Sequence, residues 1–131
     1  MTIPNEPGGK PNGKGMTRIY RAFFCSMQGF RDVFKYEAAF RQELVLTIVL
    51  LPFSFVLATS IENWLALIFS LVFILFAELI NSALEALADK VCIEHDPLIG
   101  RCKDIGSALV FVAFSWLVLL WGVNLYQFFV S

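Results

Sequence analysis

A row of polar side chains follows a nearly pure hydrocarbon run in this sequence. The row consists of Glu78, Asn81, Ser82, Glu85 and Asp89. At about 100° per residue, all five fall on one face of a helix. Carboxylates one or two turns apart can hold Mg²⁺, and a carboxylate at a membrane boundary can act as a general base. A chemical role is favoured most for Glu78, whereas simple solvation explains Asp89 equally well.

The segment that follows the row adds side chains of both charges. They are Glu94, His95, Asp96, Arg101, Lys103 and Asp104. Cations here can neutralise phosphoryl oxygens. A lone histidine beside two acids is more often a solvated loop residue than a metal ligand. The sequence contains neither GxxxxGK[ST] nor GxGxxG, so no P-loop or Rossmann nucleotide site is indicated.

Two further acids, Glu37 and Glu43, stand earlier in the chain. They are six residues apart and do not share a tight helical face. One of them can join a metal site, but each is also explained as an interfacial acid paired with Lys35 or Arg41. The charge pattern leaves both interpretations open.

The elements that position these groups are predicted to be membrane helices. Hydrophobic residues make up 58% of the 131 residues and charged residues only 16%. A soluble domain of this size could not bury that much apolar surface. The net charge of −1 gives no indication of nucleic-acid binding. We therefore predict an all-α membrane protein of one domain, in contact with lipid and not with nucleic acid.

The pattern divides the chain into a tail and four helical segments. A Gly- and Pro-rich, disordered cytoplasmic tail is expected at 1–15, and the membrane domain at 16–131. The segment 16–42 is basic, aromatic and amphipathic, which is typical of a helix lying on a membrane surface. Transmembrane helices are predicted at 43–61, 64–90 and 105–130.

Glycine and proline set further expectations about these segments. Gly29 is expected to bend or break the surface helix, and Pro52 to kink the first crossing. Pro97 and Gly100 are expected to punctuate a polar loop at 91–104.

Lysine and arginine predict the orientation in the membrane. They cluster before residue 44 and at Lys90, Arg101 and Lys103, whereas the turn at Glu62 and the C-terminal end carry none. The positive-inside rule places the N-terminus and the loop at 91–104 in the cytoplasm.

Three blocks of sequence together resemble one family. They are EAAFRQE (37–43), AELINSALEALADK (77–90) and GRCKDIGSA (100–108), preceded by TRI at 17–19. In combination they are similar to the bacterial integral-membrane diacylglycerol kinases, from about Thr17 to the C-terminus. The chain departs from the family pattern at Cys25, where a tyrosine is familiar, and at Met27, where a tryptophan is usual.

The resemblance implies a homotrimer in the bacterial inner membrane, with sites shared between subunits. It implies phosphorylation of diacylglycerol to phosphatidate at the cytoplasmic face, with ATP as co-substrate and Mg²⁺ as cofactor. Glu78 matches the general base, with Asn81 and Asp89 as catalytic positions beside it. Glu37 and Glu85 match the acids that hold the metal.

The resemblance also implies two sets of binding positions. The nucleotide positions are Arg18, Glu37, Glu85, Glu94, His95, Asp96, Lys103 and Asp104. The lipid positions are Arg18, Arg31, Ala39, Glu43, Glu78, Ser107 and Trp121.

Three other functions compete with this interpretation. Related small kinases use undecaprenol, although the blocks at 37–43 and 100–108 look more like the diacylglycerol branch. A small transporter or proton-relay subunit would suit Glu78 and Asn81. It predicts acids near the midplane, however, whereas Glu85 and Asp89 run toward the cytoplasm. A purely structural adaptor leaves the polar face unexplained.

Overall fold

The computed structural model describes residues 14–91 and 94–131, and these residues are helical almost throughout. Helix α1 spans Met16–Tyr36, α2 spans Ala38–Leu57, α3 spans Ile61–Val91 and α4 spans Pro97–Val130. The all-α prediction is confirmed for this part of the chain. The predicted tail lies outside the described residues up to position 13. The chain divides into two compact units, Met1–Asp32 and Val33–Ser131, and each is described by itself.

Helix α1 does not break at the glycine where a break was expected. Gly29 lies inside the helix, with nothing within 4 Å of where its Cβ would stand. One interior glycine costs about 0.5–1 kcal/mol relative to alanine, which is too little to end a helix whose flanking residues favour the helical conformation. The aromatic residues of α1 are exposed, and Tyr20 and Phe24 pack with ring centroids 4.6 Å apart. Phe40, in the same predicted segment but on α2, is buried.

The interruption comes instead at Glu37, so the predicted surface segment 16–42 is divided between two helices. Glu37 has extended backbone angles, φ −105° and ψ 110°. Helix ends leave carbonyl oxygens without helical partners. The Arg41 guanidinium fills this need, because its Nη1 donates to the carbonyls of Phe34 at 2.8 Å and Lys35 at 3.1 Å.

Helix α2 has 20 residues, begins earlier than the predicted crossing at 43–61 and continues through Pro52. Near its end, Ser54 Oγ donates to the Leu51 carbonyl at 2.6 Å and accepts from Trp64 Nε1 of α3 at 3.1 Å. The buried hydroxyl therefore serves both as a helix-local donor and as an acceptor between two helices.

Helix α4 begins at Pro97, inside the predicted loop 91–104, so the placement of Pro97 and Gly100 in that loop was wrong. The cause is a helix cap: Asp96 Oδ1 accepts from the backbone N–H groups of Leu98 at 2.7 Å and Ile99 at 3.3 Å. Proline is favoured in the first turn of a helix, where its missing N–H is not needed. The sequence signal was thus a helix start rather than a loop.

Helices α2, α3 and α4 are each long and apolar enough to cross a membrane. With 31 residues, α3 is about 46 Å long, whereas a bilayer's hydrocarbon core is about 30 Å thick. Its main packing partner is α4, and it also packs on α2. Leu67, Leu71 and Ile74 of α3 pack with Ala113 and Leu117 of α4 in the core.

Candidate active site

A cleft of about 420 Å³ lies among the first turns of α2, the C-terminal half of α3 and the N-terminal part of α4. Its lining residues share a position at the polar end of the helix bundle. They are Glu37, Ala39, Glu43, Glu78, Asn81, Glu85, Ser107, Val110, Phe111 and Phe114. All of them belong to the second unit of the chain. The cleft therefore has acidic and amide groups on one part of its wall and hydrocarbon on another.

Four carboxylates meet in this cleft. Glu37 stands at the break before α2, Glu43 lies within α2, and Glu78 and Glu85 lie on α3. The sequence predicted that Glu78 and Glu85 share a face, but it left the place of Glu37 and Glu43 open. Packing of α2 on α3 brings both pairs to one site.

Glu78 is the most deeply placed of the four acids, with only 3% of its surface exposed. Ser82, one turn further along α3, donates a long hydrogen bond of 3.4 Å from Oγ to Glu78 Oε1. A carboxylate removed from water in this way needs such partners, because unpaired buried charge is costly.

Asn81 links the middle of the polar row. Its Nδ2 donates to Glu85 Oε1 at 3.1 Å, and 9% of its surface is exposed. Its Oδ1 is buried without a hydrogen-bond partner among the described residues, as are Glu43 Oε2 and Thr47 Oγ1. Asn124 Oδ1, near the other end of α4, is also buried without a partner. Buried polar atoms in folded proteins are normally paired, so the two unpaired oxygens that belong to the cleft lining, on Asn81 and Glu43, are available to a bound group.

Asp89 and Lys103 form an ion pair at the polar end, with Nζ 2.9 Å from Oδ1. The Asp89 side chain is 70% exposed and the Lys103 side chain 41%, and neither lines the cleft. Asp96 is occupied in capping α4. Glu94, His95 and Asp104 are exposed and also lie outside the cleft lining. The predicted nucleotide positions of the second unit thus divide between the cleft, which holds Glu37 and Glu85, and the exposed helix ends.

The predicted lipid positions are also divided. Ala39, Glu43, Glu78 and Ser107 line the cleft. Trp121 does not: it is 7% exposed in the core, and its Nε1 donates to Ser70 Oγ at 3.0 Å. Arg18 and Arg31 lie exposed on α1, in the first unit.

Sequence reasoning missed the apolar wall that α4 gives the cleft. Val110, Phe111 and Phe114 stand three, four and seven residues after Ser107, which is the spacing of one helical face. That spacing was available as a signal once Ser107 was chosen as a site residue. Aromatic and aliphatic walls beside a few polar groups are typical of small-molecule sites.

Glu37 and Glu85, the predicted metal-holding residues, both line the cleft. No group of three or more His, Cys, Asp or Glu side chains suited to a metal occurs within 14–91 and 94–131. Mg²⁺ does not need one, since it is commonly bound by one or two carboxylates together with substrate phosphates and water. Glu37 and Glu85 line one cleft, and Asn81 donates to Glu85, so this pair would suit Mg²⁺ held together with substrate phosphates.

Comparison with known proteins identifies the family. The model of the prokaryotic diacylglycerol kinase family matches residues 24–125. A diacylglycerol kinase of Pseudomonas aeruginosa is 40% identical over 111 residues, covering 85% of this chain and 90% of that protein. A diacylglycerol kinase of Haemophilus influenzae is 37% identical over 108 residues, covering 82% and 92%. A diacylglycerol kinase of Escherichia coli is 37% identical over 116 residues, covering 85% and 95%.

These matches confirm the resemblance inferred from the three sequence blocks. The three candidate membrane spans agree with membership of a membrane-protein family. The chain is a multi-pass membrane protein, and it belongs to the prokaryotic diacylglycerol kinase family, a family of lipid kinases.

Proposed function

We propose that this protein transfers the γ-phosphoryl group of ATP to the free hydroxyl of 1,2-diacylglycerol, giving phosphatidate and ADP. The observation that carries the proposal is the cleft in which buried Glu78 meets the carboxylates of Glu37 and Glu85. Transfer to a lipid alcohol needs a base, shielded from water, that accepts the proton of the hydroxyl. The nucleotide needs groups that hold the metal ion by which its phosphate charge is neutralised. The curated relatives named diacylglycerol kinase support the same reaction.

Glu78 is the general base of this proposal. Its carboxylate accepts the proton of the lipid hydroxyl while that oxygen forms its bond to the γ-phosphorus and the bond to the β-phosphate oxygen breaks. Ser82 donates to Oε1, which leaves Oε2 for the substrate. Burial favours the lipid over water as the nucleophile, so ATP hydrolysis is suppressed.

Glu37 and Glu85 are the proposed metal-holding residues. When bound, Mg²⁺ neutralises negative charge on the phosphate oxygens of ATP. Asn81 Nδ2 donates to Glu85 Oε1 and so orients that carboxylate within the cleft. Asn81 and Asp89 complete the catalytic positions, Asp89 through its ion pair with Lys103.

Nucleotide binding falls to the polar residues around the cleft and at the exposed helix ends. Lys103 is the proposed cation for a phosphate, and its Nζ now lies 2.9 Å from Asp89 Oδ1. The remaining proposed nucleotide positions are Arg18, Glu94, His95, Asp96 and Asp104.

The lipid is proposed to enter the cleft from the bilayer side. Phe111 and Phe114 supply an apolar wall for its glycerol and proximal acyl groups, next to Glu43 and Ser107. Ala39 and Arg31 are further lipid positions that the family resemblance offers. The resemblance also offers Trp121, but its burial and its bond to Ser70 favour a role in the core, which the Trp121→Phe variant tests.

We further propose that 16–131 is one membrane lipid-kinase domain and that three copies assemble with shared sites in the inner membrane. In this arrangement the N-terminus and the α3–α4 connection face the cytoplasm, where ATP is present. Mixing Arg18→Met chains with Glu78→Gln chains tests the sharing, because each variant lacks a different site residue. Recovered activity supports shared sites, and no recovery in a co-purified mixed assembly contradicts them.

The defining experiment uses the purified full chain in mixed lipid–detergent micelles with MgATP. Diacylglycerol and undecaprenol are offered in parallel, and phosphorylated lipid is quantified. Glu78→Gln is the blank, and Glu62→Gln is the matched control, since Glu62 is an exposed acid in the first turn of the same helix.

Phosphatidate formed by the parent and by Glu62→Gln, but not by Glu78→Gln, supports the proposal. Preferential phosphorylation of undecaprenol would retain the kinase site and change the acceptor. No phosphorylated lipid from folded protein would overturn the kinase assignment.

A further inference from the structure

Gly106 lies where α4 approaches the polar row of α3. It is buried, and a Cβ placed on it would stand 2.6 Å from Asn81 Oδ1. The same Cβ would stand 3.4 Å from Leu84 Cδ1 and 3.6 Å from Asn81 Cγ. A separation of 2.6 Å is far inside van der Waals contact for carbon and oxygen. Only glycine leaves room for the Asn81 side chain in its present position.

The Asn81 amide is therefore confined at both of its ends. On one side, Nδ2 donates to Glu85 Oε1 at 3.1 Å. On the other, Oδ1 faces the space that Gly106 leaves, and it has no hydrogen-bond partner there among the described residues. The position of the amide thus depends on its hydrogen bond to Glu85 and on the absence of a Cβ at Gly106.

The other helical glycines of the described residues differ from Gly106 in this respect. Gly29, Gly100 and Gly122 each have nothing within 4 Å of where a Cβ would stand. Glycine inside a helix costs about 0.5–1 kcal/mol relative to alanine. At Gly106 a side chain would collide with Asn81, so the absence of a Cβ is required there. Gly122 has no such neighbour and provides a control in the same helix.

We propose that Gly106 is a positioning residue of the phosphoryl-transfer site, acting through Asn81 on Glu85. The inference rests on the proposed function, because the orientation of Glu85 matters for catalysis only if the cleft is the kinase site. A methyl group at Gly106 first meets the far end of a flexible side chain, not backbone. It therefore displaces the amide and breaks its bond to Glu85 while α3 and α4 remain packed.

The kinetic test compares Gly106→Ala with Gly122→Ala in the full chain, in micelles containing diacylglycerol and MgATP. Gly106→Ala is expected to lower kcat by about tenfold and to raise the Mg²⁺ concentration for half-maximal activity, since a hydrogen bond to a charged group is lost. Gly122→Ala should stay within about twofold of the parent, as exposed substitutions usually do. Activity of Gly106→Ala equal to that of Gly122→Ala would overturn the proposal.

A second measurement does not depend on activity. Gly106→Ala is made both in the parent and in Asn81→Ala, and the midpoint of thermal unfolding is measured for all four chains. The methyl group should lower the midpoint in the parent and leave it unchanged or raised in Asn81→Ala, where the clashing amide is absent. If the single variant does not fold, recovery of folding in the double variant supports the contact.

An equal loss of stability in both backgrounds would overturn the proposal, because the clash would then lie elsewhere. Failure of the parent to phosphorylate diacylglycerol would instead refute the proposed function. The stability cycle would still report whether Gly106 and Asn81 are coupled, so the two failures can be told apart.

Discussion

Ser82 Oγ donates a hydrogen bond to Glu78 Oε1 at 3.4 Å, and both side chains are buried on the same face of α3. The bond links residues one helical turn apart, so it restrains the carboxylate without help from another helix. Ser82 thus engages Oε1 of Glu78, and in the proposed mechanism Oε2 receives the substrate's proton.

Replacing Ser82 by alanine should therefore weaken catalysis without disturbing assembly. We expect kcat with diacylglycerol to fall about fivefold, which corresponds to about 1 kcal/mol for one long hydrogen bond. Ser115→Ala is the control, because Ser115 is exposed on α4 and its hydroxyl donates only to the Phe111 carbonyl of its own helix. Equal kcat values for the two variants would contradict a role for Ser82 at Glu78.

Replacing Glu85 or Glu37 by glutamine should weaken the response to Mg²⁺ specifically. Each change removes a negative ligand from the cleft while keeping its shape, so the Mg²⁺ concentration for half-maximal activity should rise by at least about tenfold. The KM for diacylglycerol should change little, because the apolar wall is intact. Glu62→Gln again serves as the control.

A normal Mg²⁺ response in both variants would show that these acids do not hold the ion. A normal response in only one would assign the site to the other.

Replacing Lys103 by methionine should separate nucleotide binding from stability. Exposed ion pairs contribute about 0–1 kcal/mol, so loss of the contact with Asp89 should barely move the unfolding midpoint. The KM for ATP should rise by about tenfold if the ammonium group contacts a phosphate. Lys90→Met, at an exposed lysine in the last turn of α3, is the matched control. An unchanged KM for ATP would restrict Lys103 to its partner Asp89.

Replacing Trp121 by phenylalanine tests whether this residue serves the lipid or the core. The indole donates to Ser70 Oγ inside the bundle, so its removal should cost about 1–2 kcal/mol of stability and leave the KM for diacylglycerol unchanged. Trp116→Phe is the control, because Trp116 is exposed on the same helix. A raised KM with unchanged stability would return Trp121 to the lipid site implied by the family resemblance.

The sequence was sufficient for the polar face of α3, because a helical period determines which side chains lie together along one element. Glu78, Asn81, Ser82 and Glu85 do line up as predicted, and the hydrogen bonds among them are all local. The family assignment was likewise available from short blocks of sequence.

The contacts between helices were not available from the sequence. The rotation of each helix about its axis decides whether Glu43 or Trp121 faces the cleft, and that rotation is set by packing along the whole helix. The bond from Trp121 to Ser70 and the slot at Gly106 join residues that are far apart in the chain. A single sequence does not show which of its distant residues are in contact.

Two local features also differ from the sequence prediction. Gly29 does not interrupt α1, since the cost of one interior glycine is small. Asp96 and Pro97 start a helix and do not form a loop, because an acid followed by proline is a common helix start.

The length of α3 has a consequence for how the rate should depend on conditions. A helix about 46 Å long exceeds the thickness of the hydrocarbon core, so in the proposed orientation its acids lie at the boundary between hydrocarbon and water. Diacylglycerol then reaches the site by diffusion within the membrane, whereas ATP reaches it from the aqueous phase. Diluting diacylglycerol with inert detergent at constant bulk concentration should slow turnover, because the relevant variable is its mole fraction in the surface. Added detergent should leave the KM for ATP unchanged, because ATP stays in the aqueous phase.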